Sequence, residues 1–526
     1  MKKQTLVFFV LITGSMSFHQ MNRDDFLNTG VVQNPATPIR IGSGLISGVY
    51  QEHTGVTFYK GIPFAAPPVG SLRWKAPQPR ATWKGVRTCD RFGPSPMQPK
   101  PISFLMIGPE FVVPQEPLSE DCLYLNVWTG AKSSKEKRSV MVWIYGGGFI
   151  TGGAATAGYS GEALAQKGII FVTFNYRLGV FGFLAHPGLS AEDPHHVSGN
   201  YALMDQIAAL KWVRKNISAF GGDPDRVTIA GQSAGAISVN CLLASPLASG
   251  LFQGVIAESG SLVLENPLIN MKDLKTAEQQ GVVLAKRLKT KNIMEMRALP
   301  ASILQKASGL YAPIADGYLL PASIADIYKR SEQTHVPFLT GWNADEGFLM
   351  GIRKKEDFSR ESASFGSDSL LFSKYFPSAT DSESQASQMA LSVDKTIGIP
   401  QYIWALKQNA NSPAKTFLYQ FIRKPPATGD KKRFGAYHSA EIGYAFHNLD
   451  SIQRPWQPAD RHLEEIMSGY WTQFVKTGNP NGPGLPVWPA FSAKDPVAMF
   501  LDEKPAAKKL PDREALDFLY SKYPGQ

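Results

Sequence analysis

Residues 229–236 read Ile-Ala-Gly-Gln-Ser-Ala-Gly-Ala. Gly231, Ser233 and Gly235 form Gly-x-Ser-x-Gly, preceded by a β-type run at 226–230 and followed by a helix-like run at 236–243. A serine on so sharp a strand-to-helix turn takes a strained backbone, and small neighbours keep the turn free of clashes. Its oxygen then stands at a helix N-terminus, where the dipole and unsatisfied amides favour developing negative charge. The pattern alone is common in loops. The strand before it and the helix after it make it a nucleophile turn.

A second glycine cluster lies upstream, in Val140-Met-Val-Trp-Ile-Tyr-Gly-Gly-Gly-Phe149. The run 140–145 is β-branched and aromatic enough for a buried strand. Glycines at its carboxyl end let the backbone turn its N–H groups toward one spot, with no Cβ in the way. The amides of Gly147 and Gly148, with that of Ala234 after the serine, are the candidate donors to an oxyanion. Gly152 and Gly153 read as ordinary loop glycines.

A serine nucleophile needs a base and a group that orients the base. Of nine histidines, His438 is best placed, in the loop Phe434-Gly-Ala-Tyr-His-Ser-Ala-Glu-Ile442 after a strand-like run at 416–421. His186, His195 and His196 precede the serine in a polar loop, and His447 and His462 sit in helix-like polar stretches. For the acid, Val336-Pro-Phe-Leu-Thr-Gly341 reads as another buried strand, continued by Trp342-Asn-Ala-Asp-Glu-Gly347. Either Asp345 or Glu346 satisfies the spacing.

The 526 residues, 43% of them hydrophobic, can bury a large core, and no linker, repeat or low-complexity tract divides them. The formal charge is +10, but Lys and Arg are scattered in runs no longer than three, which argues against a nucleic-acid groove. Lys2-Lys3, the apolar stretch 6–12 and Ser15-Met-Ser17 read as a signal peptide over 1–17, implying export to a bacterial periplasm or secretion. That stretch is too short to span a membrane, and no membrane anchor is expected. In an exported chain, the three cysteines allow one disulfide. Cys241 falls on the apolar side of the helix after the serine, which leaves Cys89 and Cys122 as the pair, worth about 3–4 kcal/mol. The cysteines lack zinc-site spacing and His195-His196 stand in a Pro/Ser/Asp loop, so no metal is expected.

From about residue 38 to 520 the chain resembles the type-B carboxylesterases, a family of α/β hydrolases. The resemblance rests on Tyr59-Lys-Gly-Ile-Pro-Phe-Ala-Ala-Pro-Pro-Val-Gly-Ser-Leu-Arg-Trp74, Ser119-Glu-Asp-Cys-Leu-Tyr-Leu-Asn-Val-Trp128 and Tyr145-Gly-Gly-Gly-Phe149. Asn175-Tyr-Arg-Leu-Gly179, Gly199-Asn-Tyr-Ala-Leu-Met-Asp-Gln206 and Gly221-Gly-Asp-Pro224 follow. Ala257-Glu-Ser-Gly260, Asp345-Glu-Gly347, Gly435-Ala-Tyr-His438 and Glu441-Ile442 complete the series.

The resemblance implies an α/β-hydrolase fold, with one catalytic domain over 38–522, behind an extension at 18–37 and the leader. It implies a Ser233–His438–Glu346 triad, with Asp345 a structural neighbour, Ser259 a hydroxyl near the Glu–His pair, and a Cys89–Cys122 disulfide. The implied reaction is hydrolysis of a small-molecule carboxylic ester through an acyl-enzyme, without metal or cofactor. Amide or lactone hydrolysis on the same triad is the alternative, and a non-catalytic binding homologue a second.

One departure from the family bears on substrate. Many members carry glutamate before the serine, and here it is Gln232. The 90–121 loop holds Phe92, Phe104 and Phe111 but no tryptophan, the best cation–π partner. Both features argue against a quaternary-ammonium substrate. Ile102, Leu105, Met106, Ile107, Val112 and Val113 in that loop either rim an apolar pocket or pack on the body. The stretch 353–391 resembles the family's helical cap, and Arg353-Lys-Lys355 within it either attracts an anionic substrate or forms a solvated helix face.

Overall fold

The central sheet forms where the apolar runs fall. In chain order its strands are β1 (Val49–Gln51), β2 (Val56–Pro63), β3 (Tyr124–Thr129), β4 (Arg138–Ile144), β5 (Ile170–Phe174) and β6 (Gly222–Gln232). Then come β7 (Gly254–Glu258), β8 (Phe338–Asn343), β9 (Thr416–Phe421), β10 (Val497–Leu501) and β11 (Ala506–Lys509). This computed structural model describes residues 34–100, 117–264, 269–307, 309, 311–347, 353–429 and 434–523. The leader, nearly all of the 18–37 extension and the apolar residues of the 101–116 stretch lie outside the described residues.

Across the sheet the strands run β1-β2-β3-β5-β4-β6-β7-β8-β9-β10-β11. From β5 to β10 every pairing is parallel, with antiparallel pairs at both margins. All residues of β5, β7, β8 and β9 are buried. Side chains alternate between faces along a strand, so both faces of this sheet are covered, as parallel sheets require. Helices supply that cover, among them Tyr201–Asn216, Ala234–Ala244, Ile399–Asn411 and Pro458–Thr477. The expected mostly parallel sheet flanked by helices is what the chain forms. Among the described residues no helix is long and apolar enough to cross a membrane.

Register aligns the strand ends. Ile144 sits opposite Gly231, Gln232 opposite Glu258, and Glu258 opposite Gly341. The glycine cluster after β4, Ser233 after β6, Ser259 after β7 and Glu346 after β8 therefore emerge along one edge of the sheet. That carboxyl edge is where open α/β sheets bind ligands.

Several motifs prove to be internal fasteners. Arg177 and Asp205, from two different motifs, form a two-pronged pair with both distances 2.8 Å, and neither side chain exceeds 4% exposure. Arg73 grips Glu120 in the same way, at 2.6 and 2.5 Å, and donates to the carbonyls of Arg297 and Leu299. Removing one partner of a buried pair strands the other charge, at a cost of about 3–5 kcal/mol. Arg177→Met is expected to lose stability of that order in urea unfolding; a loss below about 1 kcal/mol would contradict it.

The expected Cys89–Cys122 bridge is not formed. Cys89, Cys122 and Cys241 are all free and buried. Cys89 and Cys122 are both packed, unpaired, into the hydrophobic core. Burial pushes the Cys89 thiol up to about 12 and Cys122 well above its ordinary value, so both remain protonated.

Candidate active site

Ser233 caps the helix Ala234–Ala244 directly after β6, with φ 58° and ψ −125°. A positive φ is strained for any residue with a Cβ. The surroundings hold it there: the Ser233 N–H donates to the Glu258 carbonyl at 2.8 Å, and its carbonyl accepts from Ile237 at 2.9 Å. Gly235 is required sterically, because a Cβ there would stand 2.0 Å from the Ile144 carbonyl oxygen. The helix begins two residues before its apolar run, since Ala234 and Gly235 are chosen by the turn rather than by helical periodicity.

Gly147 and Gly148 follow β4 with φ 113° and 63° and are exposed, so the chain turns out of the sheet on backbone alone. Gly147 closes its turn by accepting from the N–H groups of Ile150 and Thr151. The amides of Gly147, Gly148 and Ala234 have no protein acceptor among the described residues. A helix N-terminus leaves such donors free.

His438 is reached from β9 through a loop that Asp345 clamps. The Asp345 carboxylate accepts from the Ala436 N–H at 2.7 Å, and its own N–H donates to the Ala436 carbonyl at 3.1 Å. Glu346, fully buried, points the other way and meets His438 Nδ1 with Oε1 at 2.7 Å. Spacing left Asp345 and Glu346 open; the structure joins Glu346 to the histidine and Asp345 to its loop. Glu346 Oε2 accepts from the Asn343 N–H at 2.9 Å. Burial acts to lower the His438 pKa, but its bond to Glu346 and the charges of Glu346 and Glu441 outweigh that and raise it.

Ser233 Oγ has no hydrogen-bond partner among the described residues. The Gln232 amide instead lies against the imidazole, 3.4 Å from Nδ1 and 3.2 Å from Nε2. Ser259 is buried with φ 54°, and its Oγ makes no hydrogen bond to the Glu–His pair. Among the described residues, no group of three His, Cys, Asp or Glu side chains is placed to hold a metal ion.

Sequence reasoning passed over Asn343 and gave Glu441 no role beyond its motif. Asn343 Nδ2 donates to the Tyr437 carbonyl at 2.8 Å and to Glu441 Oε2 at 2.5 Å. One residue thus serves both carboxylates. The available clue was spacing: Asn343 precedes Glu346 by three residues, and Glu441 follows His438 by three.

Residues 35–519 match the Carboxylesterase family. The chain belongs to that family. It is 35% identical over 486 residues to the fumonisin B1 esterase of Sphingopyxis macrogoltabida, covering 87% of this chain and 85% of that one. It is 34% identical over 502 residues to the para-nitrobenzyl esterase of Bacillus subtilis strain 168, covering 91% and 97%. A PNB esterase structure superposes with TM-score 0.77 at 31% identity, over 91% of this chain and 98% of that one. The Geobacillus stearothermophilus carboxylesterase EST55 gives TM-score 0.77 at 30% identity, with the same coverage. The fold is therefore the α/β-hydrolase fold, and the protein is an ester-hydrolysing carboxylesterase.

Other expected features of the carboxylesterase fall as follows. The 353–391 stretch is helical, in Lys355–Ala363, Ser369–Tyr375 and Asp381–Val393. Arg353 is paired with Glu361, and Lys355 reaches the Ala379 carbonyl, so two of the three cations there have protein partners. A cavity of about 500 Å³ lined by Trp74, Leu189, His195, Met204, Lys211 and Tyr318 contains none of Ser233, Glu346 and His438.

Proposed function

We propose that this carboxylesterase hydrolyses small to medium, apolar or aromatic carboxylic esters through an acyl-enzyme on Ser233. The observation that carries the reading is the 2.7 Å bond between His438 Nδ1 and buried Glu346, on the sheet edge that also presents Ser233. With its Nδ1 proton held by Glu346, His438 keeps a lone pair on Nε2. That nitrogen takes the Ser233 proton as Oγ attacks the ester carbonyl, and Glu346 stabilises the resulting imidazolium. The amides of Gly147, Gly148 and Ala234 receive the oxyanion, and loss of one such donor costs about 3–4 kcal/mol of barrier. Collapse breaks the ester C–O bond and returns the proton to the departing alkoxide. Water, deprotonated by His438, then repeats the sequence and frees the acid. No Ser233–His438 hydrogen bond is present among the described residues; it is a contact that forms when substrate fills the site.

Gln232 supports an uncharged substrate, because a neutral amide stands beside the imidazole where many relatives place a carboxylate. The leader read in residues 1–17 supports an exported enzyme. The test is a rate panel of p-nitrophenyl esters of increasing acyl length, with matched anilides and lactones, and an organophosphate probe of Ser233. Serine-dependent ester turnover, fastest on short or aromatic acyl groups, is expected. Labelling with faster anilide or lactone turnover would overturn the ester assignment, and absence of labelling would overturn the nucleophile.

A further inference from the structure

Behind His438 lie three carboxyl groups, Glu346, Glu441 and Glu258, each 0% exposed. Asn343 supplies a donor to Glu346 and another to Glu441. Glu258 Oε1 accepts from the Trp471 indole at 2.7 Å. The remaining oxygens, Glu441 Oε1 and Glu258 Oε2, have no donor, and the buried hydroxyls of Ser259 and Tyr419 have no partner.

The elements packed around this group bring little positive charge. β8 presents Asn343, β9 presents Tyr419, the helix Pro458–Thr477 presents Trp471, the turn Ala157–Tyr159 presents Tyr159, and the 434–441 loop presents His438. Among the described residues, no lysine or arginine pairs with any of the three carboxyls. Burial and the carboxylates push the Tyr419 and Tyr159 phenols up, so they stay neutral. Three fully buried carboxylates beside one imidazole, with no described lysine or arginine paired to them, do not all ionise together, so at least one keeps its proton.

Geometry indicates which one. Glu441 accepts a 2.5 Å amide bond and bears on His438, whose positive charge favours its anion. Glu258 has only a neutral indole and faces the Glu441 charge. Its main chain is committed to the site as well, since its carbonyl holds the Ser233 N–H. We propose that Glu258 is a positioning residue kept as the neutral acid, which leaves Glu441 and Glu346 as the charges that act on His438. The proposal rests on the Ser233–His438–Glu346 reading. Burial raises the Glu258 carboxyl well above the usual range, and burial with the Glu346 charge brings Glu441 up to about 7, in the same sense.

Two measurements test it. The first is infrared spectroscopy of the full chain, where the C=O stretch of a protonated buried carboxyl stands apart from carboxylate bands. The wild-type minus Glu258→Gln difference at neutral pH is expected to contain that stretch; its absence would overturn the proposal. This readout needs no turnover, so it fails or succeeds independently of the triad, which Ser233→Ala tests.

The second is the pH profile of kcat/KM. Glu258→Leu is expected to lower kcat by about tenfold or more with little change in KM, and Glu258→Gln to recover most of the loss with an unmoved acid limb. Glu441→Gln removes a negative charge facing His438, so its acid limb is expected to move down by about half a pH unit or more. An equal downward shift in Glu258→Gln would mean that Glu258 carries the charge. Unchanged kcat in Glu258→Leu would mean that it positions nothing. Either result would overturn the proposal.

Discussion

Ser233→Ala is expected to lower kcat by about 10⁵–10⁶-fold while leaving the thermal midpoint within a few degrees of wild type. The size follows from removing the atom that forms the acyl bond, which leaves only the oxyanion donors and binding to act on the transition state. Stability is spared for a local reason. The strain at φ 58° belongs to any residue with a Cβ, and the fixing bonds to Glu258 and Ile237 are main-chain bonds that alanine keeps. Ser233 Oγ makes no bond whose loss would be felt. Steady-state turnover of a p-nitrophenyl ester and a melting curve on one preparation check both halves. Near-normal turnover, or no organophosphate labelling of wild type, would remove Ser233 from the mechanism.

Glu346→Gln carries the second-largest expected loss, about 10³–10⁴ in kcat, from a change of one atom. Asn343 decides how the new amide must sit. Its N–H donates to Glu346 Oε2, so an oxygen has to remain there, and the amide nitrogen falls where Oε1 met His438 Nδ1. A donor facing Nδ1 makes that nitrogen the acceptor and moves the imidazole proton to Nε2. The histidine then presents a proton where it should accept one. The same change removes the charge that raises His438, so the residual activity should keep its plateau to lower pH than wild type. A variant within tenfold of wild-type kcat would show that Glu346 does not set the tautomer.

The elbow was legible in the sequence because its demands are met within a few residues: a buried strand, glycines where a Cβ would strike the Ile144 carbonyl, and a helix. The glycine ridge was legible for the same reason. The acid was not, since Asp345 and Glu346 are adjacent and only the clamp on Ala436 sends one away from the histidine. Family resemblance named Glu346 where spacing could not. Asn343, Glu258 and Glu441 stood in quoted motifs but were given no role, because nothing in their own segments says what they meet. Their meeting depends on the register of three parallel strands and a loop, which local pattern does not contain. The cysteine pairing rested on elimination and resemblance, and in the fold both thiols stay free and buried.

The burial of every residue in β5, β7, β8 and β9 bears on how the chain is made. Strands without a solvent face are largely apolar segments, and each needs its neighbour before it is shielded. β7 waits for β8 at Phe338–Asn343, β8 for β9 at Thr416–Phe421, and β9 for β10 at Val497–Leu501. The leading edge of the growing sheet therefore stays open until translation is almost complete, offering unpaired backbone and apolar side chains to other nascent chains. Such long-range parallel pairing is slow, so yield in overproduction is expected to respond to synthesis rate, temperature and chaperone supply.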